Sequence, residues 1–99
     1  VRLPTIHLNG TDPQTLLDAY TAAHEAVRAA TTALDAIPVN ARDYYPQGDR
    51  AAFDAYREHS ERIRHLAALA EELHQVISHI DAEMDARKTA CVRRSKPEE

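Results

Sequence analysis

A chain of 99 residues, 43% hydrophobic and 28% charged, has the make-up of one folded domain and not of a disordered segment. Its net charge of -4 excludes a general DNA or RNA binder, which presents a basic face. Only 2 glycines beside abundant alanine exclude a turn-rich β fold and point to an all-α protein.

The first ten residues, "VRLPTIHLNG", alternate apolar and polar from Ile6 to Asn9. They predict a short extended arm over 1–10 that closes in an Asn9-Gly10 turn. The arm lacks a long apolar centre, so no signal peptide is expected. Helix one is predicted over 12–37. Thr11 and Gln14 form a capping-box pattern, with Asp12 as the alternative cap, and Pro13 suits a first helical turn. Leu16, Tyr20, Ala23, Val27, Ala30, Leu34 and Ile37 recur at alternating spacings of four and three, which is a heptad seam. Pro38 ends the pattern.

The connector over 38–48 contains "VNARDYYPQG", far richer than a polar turn requires. Helix two is predicted over 49–88, with Asp49 as its cap after Gly48. Its seam is Ile63, Leu66, Ala70, Leu73, Ile77, Ile80 and Met84, and Leu69 and Val76 widen the apolar face. The pattern fades near Arg87, leaving 89–99 as a flexible tail. At 1.5 Å per residue the two helices span roughly 37 Å and roughly 57 Å. In an antiparallel hairpin the second overhangs the first, and its overhang carries Ile77, Ile80 and Met84. The arm, a second copy, or both must cover it. The expected architecture is therefore a helical hairpin associating into a multi-helix bundle, most simply a dimer.

Chemistry-bearing clusters are sparse. One cysteine, Cys91, provides no internal disulfide and no metal cluster, which fits a reducing cytoplasm. His65 and His79 share a face two heptads apart, but no His-x-x-x-His pair is present, so neither a metal nor another cofactor is expected. There is no phosphate loop and no nucleophile elbow. Glu71 and Glu72 are adjacent, so they point apart and form no acid–base pair. No catalytic residue is expected, and no apolar run reaches the roughly 20 residues of a membrane span.

The connector differs. Tyr44 and Tyr45 are followed by Phe53 and Tyr56 on the first turns of helix two, with Arg42, Gln47 and Arg50 among them. Aromatic faces beside guanidinium groups suit ring stacking and phosphate pairing. The helix start adds backbone N–H groups for an anion. Arg42, Tyr44, Tyr45, Gln47 and Arg50 are the candidate ligand-binding residues, with His7 and Asn9 joining from the arm of a neighbouring chain. The competing reading makes the tyrosines a cap on the bundle end, with Asp43 paired to an arginine.

The segments "PTIHLNGT", "ARDYYPQG" and "EHSERIRHLAAL" resemble a family of small, mostly uncharacterised proteins encoded by tailed bacteriophages and prophages. The resemblance runs from Pro4 to about Ile80, and the connector is its most specific part. It implies a phage origin, action in the cytoplasm of an infected bacterium, and a compact helical accessory role without catalytic residues. In form alone the chain is similar to the small helical phage oligomers that soak up nucleotide messengers of bacterial immunity. That likeness implies a sponge for a nucleotide-like ligand. The alternatives are a virion or assembly component, or a protein-binding inhibitor of a host factor.

Overall fold

The computed structural model describes the backbone of residues 1–95 and the side chains through Lys88. The described residues are helical, without strands. Helix α1 is Pro13–Asp35 and α2 is Ala51–Ser95; between them lie two short 3-10 turns, Ala41–Asp43 and Tyr45–Gln47. The two helices contact each other. The chain divides into two compact units, one of Val1–His24 and Glu72–Glu99, the other of Glu25–Glu71.

In the first unit, the cap of α1 is Asp12, and the Thr11–Gln14 box does not form. Asp12 Oδ2 accepts from the Thr15 backbone N–H and from Thr15 Oγ1, both at 3.1 Å. Gln14 turns outward and donates to Asp18 Oδ1 at 2.8 Å. A carboxylate at this position both accepts an orphan N–H and meets the positive end of the helix dipole, which a hydroxyl cannot match. Asp12→Ala is expected to lower stability by about 1 kcal/mol in urea titrations. Thr11→Ala, by contrast, should leave the midpoint within error.

The arm closes as its sequence suggests, with the Gly10 N–H donating to His7 O at 3.1 Å. His7 packs over this turn: a Cβ on Gly10 would lie 3.0 Å from His7 Nε2. Further back, the arm is tied to α2 by His79, whose Nε2 lies 2.8 Å from Pro4 O. The carbonyl only accepts, so Nε2 carries the proton. This half-buried bond contributes about 1 kcal/mol and positions the arm's Pro4 against α2. Val76 and Ile80, at 3% and 0% exposure, are the only buried residues among those described.

The inward face of α1 follows its apolar seam at Leu16, Tyr20, Val27 and Leu34, all half-buried, and departs from it at the two alanines. His24 and Thr31 are half-buried, whereas Ala23 and Ala30 are exposed. Alanine presents little apolar surface, so neighbouring larger side chains set the rotation of the helix. In the first unit the His24 ring stands 6.2 Å from that of His74, tilted at 44°. In the second unit Thr31 Oγ1 donates to Val27 O at 2.9 Å, which satisfies its hydroxyl against the neighbouring helix. The α2 seam follows its sequence pattern more closely, with Ile63, Leu66, Ala70, Leu73, Ile77 and Met84 all half-buried. Leu69 stays 41% exposed beside them.

Helix α1 stops at Asp35, short of the expected 37. The Ile37 N–H donates to Leu34 O at 3.0 Å, and this tighter closure takes Ile37 off the seam before Pro38. At the other end of the chain α2 continues beyond the expected 88 to Ser95. The fading hydrophobic pattern ends an apolar face, but nothing in "TACVRRS" breaks a helix before Pro97. Within the predicted tail, residues 96–99 lie outside the described residues.

Candidate functional site

Lying wholly in the second unit, the connector is built from three successive reversals. Asn40 is extended at φ -103 and ψ 132, and the first 3-10 turn follows, with Tyr44 N–H donating to Ala41 O at 3.0 Å. Pro46 then falls in the first two positions of the second turn, where its fixed φ fits and its missing N–H is not needed. Gln47 N–H donates to Tyr44 O at 3.0 Å.

Gly48 makes the last reversal at φ 109 and ψ 171. That backbone region is almost exclusive to glycine. Nothing lies within 4 Å of a Cβ built on Gly48, so a substitution meets no steric obstacle and the cost is in the backbone alone. Gly48→Ala is expected to cost at least about 1 kcal/mol by chemical denaturation, or to shift the connector into another turn. Loss of the aromatic circular-dichroism signal would report that shift.

Asp49 does not cap α2. The Ala51 N–H donates to Gly48 O at 3.4 Å, an extra turn that places Arg50 just before the first helical residue. The Asp49 carboxylate is thereby left without a hydrogen bond or ion pair among the described residues. Asp43 likewise forms no ion pair among them, contrary to the bundle-cap reading. The pairs that do form are on α2: Arg57–Asp54 at 3.2 Å and Arg62–Glu58 at 3.7 Å. Both are exposed and contribute little.

Three recesses share the Tyr44 side chain. The first, about 440 Å³, is lined by Tyr44, Tyr45, Phe53 and Tyr56 together with Asp49. Tyr44 is half-buried, whereas Tyr45, Phe53 and Tyr56 are 71%, 75% and 45% exposed. The second recess, about 580 Å³, takes in Gln47 and Arg50 with three carboxylates, Asp49, Asp54 and Glu58. The third, about 360 Å³, lies under Ile37 and Val39, where His59 and Arg62 meet Tyr44.

Of the residues expected to bind a ligand, Tyr44 and Tyr45 come together in the aromatic recess, and Gln47 and Arg50 adjoin it across Tyr44. Arg42 lines none of the three recesses. His7 and Asn9 belong to the first unit, both exposed. Phe53 and Tyr56 complete the aromatic wall. Their i, i+3 spacing puts them on one face of the first turns of α2, and that spacing was the available signal for adding them to the site. The pairing of His24 with His74 has no such signal, because it depends on how two helices are aligned.

Among the described residues, no three histidine, cysteine or carboxylate side chains converge to hold a metal ion. None of the described helices is long and apolar enough to cross a membrane. No protein-family model, curated protein or solved structure matches the chain.

Proposed function

We propose that the chain is a non-enzymatic helical binding protein that holds a small ring-bearing ligand in the aromatic recess at the start of α2. The observation that carries this reading is the set of exposed ring faces on Tyr45, Phe53 and Tyr56 around a recess floored by half-buried Tyr44. Exposed aromatic faces around one concavity suit stacking of a flat ring. The resemblance to phage proteins supplies the biological setting: a phage product in the infected cell that sequesters a nucleotide-like messenger of host immunity. A base would stack in the aromatic recess and a phosphate would extend across Tyr44 toward Arg50 and the first N–H groups of α2. Purified protein should gain thermal stability with such a messenger, by an amount that rises with ligand concentration and reaches about 2.7 kcal/mol at a hundred times Kd. Absence of a shift across a panel of cyclic and linear nucleotides would sink the messenger reading.

The finer architecture belongs to the same proposal. The start of α1 lines a recess with Met84, Arg87 and Lys88 of α2 in the first unit, and Leu34 lines one with Ala55 and His59 in the second. These pairings suit an antiparallel hairpin. The two buried residues among those described are too few to hold an isolated hairpin, while Leu8, Ile37 and Leu69 remain exposed. A second copy covering those faces to give a four-helix dimer accounts for both facts. A folded monomer at micromolar concentration in sedimentation equilibrium would overturn it. The same exposed apolar side chains are what favour the second functional reading, an assembly component or a protein-binding inhibitor; detection of the chain in purified virions would support the former.

A further inference from the structure

We infer that the group seated in the aromatic recess is a positively charged flat ring, a cationic nitrogen heterocycle. This rests on the reading of the recess as a ligand site and specifies the chemistry of its occupant. Four of the chain's five aromatic side chains wall the recess, and its only charged wall residue is Asp49. Neither Arg42 nor Arg50 lines it. Asp49 has no hydrogen-bond or ion-pair partner among the described residues, because Arg50, not Asp49, precedes the first residue of α2. The negative faces of aromatic rings attract cations, and an unpaired acidic residue in the lining adds an opposite charge. The start of α2 opposes this with roughly half a positive charge. That is smaller than the full charge of Asp49. In the adjoining recess Asp54 and Glu58 are paired with Arg57 and Arg62, which leaves Asp49 as the one unpaired carboxylate lining it beside Arg50.

Phe53 is the only phenylalanine in the chain, so its ring resonances report the recess without ambiguity. The full chain is titrated at alkaline pH with N-methylpyridinium, with a neutral methylpyridine of the same size, and with adenosine. The expected result is that N-methylpyridinium shifts the Phe53 resonances and binds about tenfold tighter than methylpyridine. Asp49→Asn, an exposed substitution that removes no bond, should abolish most of that preference while circular dichroism stays unchanged. Equal affinity for the charged and neutral rings, or a preference that survives in Asp49→Asn, overturns the inference. Adenosine binding at Phe53 without any cation preference also overturns it but leaves the ring-binding function standing. A Phe53 signal that responds to none of the three removes both.

Discussion

Ile80→Ala is expected to lower stability by about 2–5 kcal/mol, the largest effect of any single truncation among the described residues. Among the described residues Ile80 is the one fully buried side chain, at 0% exposure, and Val76 one turn earlier is its only buried companion. Removing its methyl and methylene groups forfeits their transfer free energy, and the space left behind collapses only in part. Next to Ile80 in sequence, His79 is fixed by its bond to Pro4 O of the arm, which restrains this part of α2. A control separates burial from residue type. Leu69→Ala, on the same helix but at an exposed position, should cost less than about 1 kcal/mol. Urea unfolding at fixed protein concentration measures both. Equal losses for the two variants would mean that Leu69 is covered in solution, and a dependence of the Leu69→Ala loss on concentration would identify a second copy as the cover.

The same two residues show what the sequence could and could not settle. Apolar spacing placed Ile77, Ile80 and Met84 on one face of α2, and Ile80 is buried in the unit that contains the arm, but these residues are not the expected overhang, because the start of α1 lines a recess with Met84, Arg87 and Lys88. Periodicity fixes a face, however, only where large side chains mark it. On α1 the seam holds at Leu16, Tyr20, Val27 and Leu34, but Ala23 and Ala30 are too small to mark a face, and half-buried His24 and Thr31 take those inward places instead. Thr31 is acceptable there because Val27 O satisfies its hydroxyl, a fact of local geometry that spacing does not contain. Caps were ambiguous for a related reason. Thr11, Asp12 and Asp49 all have cap chemistry, and only the path of the backbone decides which one reaches an orphan N–H. In the connector the aromatic cluster was legible as a cluster. Its division was not: Tyr44, Gly48 and Asp49 turn the chain so that the aromatic faces and Arg50 line adjoining recesses.

The two tyrosines of that cluster should therefore behave differently when replaced singly. Tyr44 is half-buried and touches all three recesses, so Tyr44→Ala removes packing from each and is expected to cost about 2 kcal/mol. Tyr45, 71% exposed, contributes little packing, and Tyr45→Ala should stay within about 0.5 kcal/mol of the parent. Ligand affinity should follow the reverse order of purity. Losing one stacking ring weakens ring binding by about 1–3 kcal/mol, so Tyr45→Ala should weaken it by roughly tenfold to a hundredfold with the fold intact. Denaturation and titration of the same Tyr45→Ala sample decide the matter. A cap on the end of a bundle predicts a stability loss at Tyr45 and no effect on any ligand, whereas a recess built for a ring predicts lost affinity at unchanged stability. The distinction rests on exposure: a side chain whose faces are already in water has little folding energy to lose, so a large binding defect there can only come from what it touches when the ligand arrives.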